Sequence, residues 1–129
     1  KTVAAIAGVA TFSTLSIDKR SSTYRLSATA SGVSGTTSAV FTINPGPAFK
    51  LNWMVHPNTG TNLPPGSEND STVAGQPFSP PLKLEALDAF RNPVSTFTGD
   101  VTIAFAVNPG SGTLSGATTV AARRASVSA

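Results

Sequence analysis

Apolar and polar residues take turns along most of this chain. That period-two alternation is the mark of a strand with one buried and one solvated face. In residues 49–56, Phe49, Leu51, Trp53 and Val55 share one side, and Lys50, Asn52, Met54 and His56 the other. In residues 101–107 the inward set is Val101, Ile103, Phe105 and Val107. Tyr24, Leu26 and Ala28 alternate with Arg25, Ser27 and Thr29, and Ala39, Phe41 and Ile43 flank Thr42. Leu82, Leu84 and Ala86 oppose Lys83 and Glu85. Residues 9–17 form a further expected strand, with Phe12, Leu15 and Ile17 facing inward. No segment has a convincing helical period; residues 88–91 leave room for a single turn. One-sided strands of this kind predict an all-β chain, an antiparallel sandwich whose two sheets each bury one face. Phe12, Tyr24, Leu26, Phe41, Leu51, Trp53, Leu84, Ile103 and Phe105 are the expected core.

Turn residues punctuate the strands. Ser31-Gly32-Val33-Ser34-Gly35 is expected to break the chain between two strands, and Asn108-Pro109-Gly110-Ser111-Gly112 is another turn. Asn44-Pro45-Gly46-Pro47 is the sharpest boundary. It divides the chain into residues 1–44, a Pro/Gly linker at 45–48, and residues 49–129. Residues 57–81 hold Pro57, Pro64, Pro65, Pro77, Pro80 and Pro81 with Gly60, Gly66 and Gly75. Such a segment is neither a regular helix nor a central strand, and it reads as a long surface loop.

Composition narrows the class. Only 12% of residues are charged, and Ser and Thr carry most of the polarity. That suits a β-rich extracellular protein. The chain has no cysteine, which removes disulfides and thiolate metal sites. Its net charge of +3 is scattered apart from Lys19-Arg20 and Arg123-Arg124, with no basic stripe interleaved with aromatics. A nucleic-acid partner is therefore not expected. No apolar run reaches the length of a membrane span. No signal peptide starts the sequence, so any export signal is expected to lie outside it or to have been removed.

A short recurrence adds organisation. Thr2-Val3-Ala4-Ala5 returns as Thr119-Val120-Ala121-Ala122, an offset of 119 − 2 = 117 residues. A recurrence near domain length suggests one period of a tandem array, cut in mid-repeat. Residues 1–44 would then be the back of one module, and residues 49–129 the front of the next.

Three stretches carry a resemblance. Leu82-Lys-Leu-Glu-Ala-Leu-Asp-Ala-Phe-Arg-Asn-Pro-Val94 is an alternating strand followed by Asp-x-x-x-Asn-x-Val. Gly8-Val-Ala-Thr-Phe-Ser-Thr-Leu-Ser-Ile17 leads to Tyr24-Arg-Leu-Ser-Ala28. Gly112-Thr-Leu-Ser-Gly116 leads to Thr119-Val-Ala-Ala122. These resemble the bacterial immunoglobulin-like repeats of the invasin/intimin type, tandem modules of large surface proteins. The first stretch departs from the family at Arg91, where Gly, which tolerates positive φ, is usual. The resemblance implies an immunoglobulin-like sandwich in permuted phase, and a bacterial cell surface as its place.

Candidate chemistry is sparse. A Ser-His-Asp triad would have to use His56, the single histidine, which otherwise reads as a solvent-facing strand residue. Glu68 and Asp70 offer oxygen ligands to Ca²⁺ but lack the spacing of a known calcium loop. Asn69-Asp70-Ser71 is a formal glycosylation sequon. Asp88 and Asn92 are expected to shape a turn, Asp88 by accepting backbone N–H bonds. The Gly110–116 segment lacks dinucleotide spacing and precedes no helix, so it reads as a turn. Trp53 shares the apolar face and is expected in the core, sugar stacking being its other use. Met54, facing out, is a candidate contact residue.

These features predict a non-enzymatic, cofactor-free extracellular module: a filament subunit, stalk or adhesin repeat. Its partners would be identical copies in a homopolymer or tandem array, joined head to tail by strand sharing. Val9, Phe12, Leu26, Phe41, Leu51, Trp53, Ile103 and Phe105 would carry that assembly. The alternative is a carbohydrate- or receptor-binding domain that meets surface glycans through the 57–81 loop.

Overall fold

The computed structural model describes residues 1–57, 68–69 and 73–123, with only the backbone at 56–57 and 68–69. Among the described residues the chain is all-β: nine strands and no helix. It divides into two compact units, Lys1–Pro45 and Gly46–Ala129.

The first unit holds four short strands in two antiparallel pairs. Strand β1 (Ser21–Tyr24) pairs with β4 (Phe41–Ile43), setting Ser21 against Ile43 and Tyr24 against Phe41. The Tyr24 and Phe41 rings stack at 6.0 Å between centroids. Strand β2 (Ser27–Ala30) pairs with β3 (Val33–Thr37) around Ser31-Gly32, where Gly32 supplies a φ of 77° that side chains resist. Ser38 joins the ends of the two pairs. Its backbone N–H donates to the Leu26 carbonyl at 2.8 Å, and its Oγ accepts from the Leu26 N–H at 2.9 Å.

Several expectations change here. The segment 24–29 is interrupted at Arg25-Leu26 instead of running as one strand. Val33–Thr37 is a strand, although its Ser-Gly-Val-Ser-Gly opening reads as a turn; only Ser31-Gly32 makes the reversal. Residues 10–17 form no strand. They follow a tight reversal in which Ile6 and Val9 exchange two backbone bonds of 2.9 and 3.0 Å across Ala7 (φ 49°) and Gly8 (φ 82°). Two left-handed central residues make this a hairpin-type turn, yet the ladder stops after its first bridge.

The second unit is built on β5 (Lys50–Pro57) and β7 (Lys83–Leu87), antiparallel, with Leu51 against Ala86, Asn52 against Glu85 and Trp53 against Leu84. The two-residue β6 (Glu68–Asn69) lies parallel to the far end of β5. Strands β8 (Asp100–Thr102) and β9 (Thr119–Ala121) form a separate antiparallel pair. Its ladder runs on at both ends, from the Ile103 N–H to the Thr118 carbonyl (2.8 Å) and from the Ala122 N–H to the Gly99 carbonyl (3.0 Å). The expected strand 101–107 thus ends early, because its later residues pair with no segment among the described residues.

One irregularity moves a face. The register passes from Trp53↔Leu84 to Val55↔Lys83, so Met54 is an extra residue on β5. Such a bulge breaks strict alternation. Val55 therefore leaves the parity of Leu51 and Trp53; it is buried while they are exposed. Among the described residues the buried apolar ones are Val55, Ala86, Leu87 and Val94, all in the second unit. Most of the expected core is not covered within one chain. Phe12, Leu26, Leu51, Trp53 and Phe105 are exposed, and Tyr24, Phe41, Leu84 and Ile103 are half-buried. The alternation orients these side chains, but among the described residues no second layer buries them.

Candidate functional site

Two features of the second unit bear on function. The first is the turn that follows β7. Leu87 is the last strand residue, and Asp88 is 2% exposed. The Asp88 Oδ1 accepts from the N–H groups of Phe90 and Asn92, each at 2.8 Å. Its Oδ2 accepts from the Asn92 Nδ2 and from the Gly46 N–H, each at 2.9 Å. The Asp88 N–H donates to the Asn92 carbonyl at 2.9 Å, and the Arg91 N–H to the Asp88 carbonyl at 3.1 Å. Arg91 closes the turn with φ 67°. This is the left-handed geometry for which Gly is favoured, held here by a side chain that resists it.

The loop after the turn returns to the sheet. Leu87 bridges to Pro93, and the Val94 N–H donates to the Ala86 carbonyl at 2.8 Å. β7 is thereby flanked on both edges. The Phe49 N–H donates to the Leu87 carbonyl at 2.7 Å, so the carboxylate and the strand end together fasten the segment that begins at Gly46.

Burial by itself would raise the Asp88 pKa. The hydrogen bonds from Asn92, Gly46 and Phe90 outweigh it and lower the pKa from 3.8 to about 2. With all four acceptor positions engaged, this carboxylate is ionised at neutral pH and has no lone pair directed at a substrate. It organises backbone and is not suited to proton transfer. The motif Asp-x-x-x-Asn signals the turn in the sequence. The bond to Gly46 spans 42 residues and has no sequence signal beyond the Pro-Gly-Pro boundary. A second turn is also held by a side chain: Asn108 Oδ1 accepts from the Gly112 N–H and its Nδ2 donates to the Gly112 carbonyl, each at 2.8 Å.

The second feature is open apolar surface. A groove of about 330 Å³ runs between Met54, Leu82 and Leu84 on one side and Val101, Ile103 and Val120 on the other. A second, of about 280 Å³, is lined by Phe49, Leu51, Ala86 and Phe97. Leu51, Trp53, Ile103 and Phe105, expected to meet a neighbour, belong to this unit; the first three lie on β5 or beside the β8 ladder, and Phe105 follows it unpaired in any strand. Val9, Phe12, Leu26 and Phe41 belong to the first unit, where Val9 ends the Ile6–Val9 turn and Phe12 lies in no strand.

The remaining candidates are not gathered. Among the described residues no three His, Cys, Asp or Glu side chains cluster to hold a metal ion. Asp70, Ser71 and most of the 57–81 loop lie outside the described residues, as do the side chains of His56, Glu68 and Asn69. Among the described residues no helix is long and apolar enough to cross a membrane. Compared with family models, curated proteins and solved structures, the chain matches none of them.

Proposed function

We propose that this chain is an extracellular, non-enzymatic structural module that is completed by identical copies of itself. Its design is an immunoglobulin-like antiparallel sandwich in permuted phase, the first unit of one copy serving as the missing layer for the second unit of the next. The product is a stalk or filament. One observation carries this reading: no residue of Lys1–Pro45 is buried, although the unit holds four paired strands and many large apolar side chains. A fully buried Leu or Phe contributes roughly 1.5–3 kcal/mol relative to an exposed one. A unit that leaves Val3, Ile6, Val9, Phe12, Leu15, Leu26, Val33 and Val40 exposed forgoes most of that. Contiguous uncovered apolar faces mark interaction surfaces or aggregation hazards.

The second unit supplies the complement. Its grooves are apolar and open, and among the described residues its β8–β9 pair has no further strand beside it. Adding strands from another chain uses main-chain hydrogen bonds for affinity and alternate side chains for fit. Because donor and acceptor surfaces differ, the contact is heterologous and propagates unless its rotation closes a ring. Low charge density and Ser/Thr-rich exposed strands agree with an exported protein.

Sedimentation velocity across a concentration series, with negative-stain imaging, tests the proposal. Purified chain should form particles that lengthen with concentration and resist salt, since apolar burial is not screened as surface charge is. An excess of a peptide of residues 1–44 should cap open acceptor ends and shorten them. A monomer at all concentrations, unaffected by the peptide, would overturn the reading.

A further inference from the structure

The four residues 2–5 repeat the four residues 119–122, and the structure gives that repetition a physical meaning. The second copy, Thr119-Val-Ala-Ala122, is β9 with the residue that extends its ladder. The first copy, Thr2-Val-Ala-Ala5, lies in no strand or bridge, and all four of its residues are exposed. The same short sequence is thus seated on β8 in one place and unseated in another. We infer that residues 2–5 of a second copy of this chain take the place of β9 beside β8. This rests on the strand-sharing function proposed above and names the segment that begins the exchange.

The register follows from the structure. In the chain, Asp100 faces Ala121, Val101 faces Val120 and Thr102 faces Thr119. The Thr102 and Thr119 hydroxyls share a hydrogen bond of 2.8 Å. Shifting by 117 residues sets Asp100 against Ala4, Val101 against Val3 and Thr102 against Thr2 of the incoming copy. The backbone bonds of these three pairs and the Thr–Thr bond are reproduced, because residues 2–5 and 119–122 are identical. Val3 would occupy the position of Val120 on the groove lined by Val101, Ile103 and Leu84. Exchange of identical strands is close to neutral in itself, which is why segment swapping between protomers is a low-cost route to assembly. Any apolar burial that accompanies it is then a net gain.

The chain just after residues 2–5 provides that burial. The Ile6–Val9 turn reverses the backbone tightly, and its single bridge is the start of an antiparallel ladder. Continued one pair at a time, that ladder sets Ala5 against Ala10, Ala4 against Thr11 and Val3 against Phe12. Directly opposed residues share a face of the sheet. Phe12, exposed in the single chain, would therefore join Val3 over the groove. Seating residues 2–5 on β8 gives residues 10–13 the template strand that they lack in the chain alone.

Cross-linking tests the register, and the absence of native cysteine makes it clean. Thr102 and Thr119 occupy a non-hydrogen-bonded pair, where Cα atoms are about 4.5 Å apart, within disulfide reach. T2C chain is mixed with mass-tagged T102C chain under mild oxidation. A disulfide between the two chains is expected, with loss of that product when D100C replaces T102C and when Val3→Asp is added to T2C. A T102C/T119C variant should close a bond within its own chain, which reports that the β8–β9 pair is formed. If the wild-type chain assembles and T102C/T119C closes, yet T2C and T102C do not link, this inference falls and strand sharing by another segment stands. If neither assembly nor the link appears, both fall. Failure of T102C/T119C to close would overturn the register, and the inference with it.

Discussion

The two units are made of similar strands and turns, but only one of them has an interior. In Gly46–Ala129, Val55, Ala86, Leu87 and Val94 are buried together with Asp88 and Asn92. In Lys1–Pro45 nothing is. The strands explain the difference. β5 and β7 run for eight and five residues, and β7 gains a third neighbour at Pro93-Val94. In the first unit two-stranded pairs of three to five residues stand without a covering layer. Alternation decides which side chains point the same way; it does not supply what lies over them. The second unit shows how an interior starts in a chain poor in apolar bulk. A carboxylate gathers three backbone N–H groups and one amide, and the buried Ala86, Leu87 and Val94 flank that turn in the chain.

That contrast breaks most decisively at Asp88. Asp88→Ala removes the acceptor of four hydrogen bonds, two of them buried, and breaking a buried hydrogen-bond network is among the costliest changes a fold can suffer. The expected result is loss of the second unit's cooperative unfolding transition. Amide signals of residues 21–43 should stay in place, because the four donors to Asp88 all belong to the second unit. A D88A protein with an unchanged midpoint would show that the carboxylate does not organise this region.

Apolar truncation gives the next largest effect and separates the units again. Leu87→Ala should cost about 2–5 kcal/mol, the range for a buried leucine. Leu26→Ala, at a position 49% exposed, should change stability of dilute protein by no more than about 0.5 kcal/mol. At concentrations where copies assemble, Leu26→Ala should become costly, because assembly would bury what the lone chain exposes. Equal costs for both at high dilution would mean that the first unit has an interior of its own. Phe105→Ala, 49% exposed, belongs with Leu26 rather than with Leu87.

Much of this arrangement was legible in the residues, and what was not has identifiable causes. The partition of β5 and β7 into faces follows from alternation up to Trp53. Past it the bulge at Met54 reverses the parity, and no residue type announces a bulge there. Val33–Thr37 is masked by glycine and serine, which favour turns yet also fit an exposed hairpin strand. Residues 10–17 have the alternation of a strand but no pairing partner among the described residues, and pairing, not pattern, makes a strand. The acceptor role of Asp88 could be read from Asp-x-x-x-Asn. Its bond to Gly46 could not, because only the fold brings residue 46 to the turn.

Acid offers a milder probe of the same carboxylate. The Asp88 pKa is lowered in the fold from 3.8 to about 2, so the unfolded chain takes up a proton first as pH falls. The stabilising contribution is therefore complete above the unfolded value of 3.8 and is lost as pH falls toward about 2. Thermal midpoints measured across that window should drop for the second unit. Asp88→Asn should start lower at neutral pH and lose this part of the slope. A wild-type profile with the same slope as D88N between those values would show that Asp88 does not titrate with folding.

The smallest expected effect tests backbone alone. Arg91 holds φ 67°, and a left-handed residue with a side chain costs roughly 1–2 kcal/mol more than glycine there. Arg91→Gly removes that strain but frees the unfolded chain, which returns about 0.4–1 kcal/mol. The net expectation is a gain of about 0.5 kcal/mol for the second unit. Gly32 in the first unit is the mirror experiment. Its φ is 77° and an added Cβ would meet no atom within 4 Å, so Gly32→Ala probes conformation without a clash. It should lose about as much as Arg91→Gly gains, read as weaker amide protection in the β2–β3 hairpin. If Arg91→Gly destabilises instead, the arginine side chain contributes to the turn by more than its backbone strain takes away. The contrast between a pinned turn and a free hairpin would then rest on that side chain as well as on Asp88.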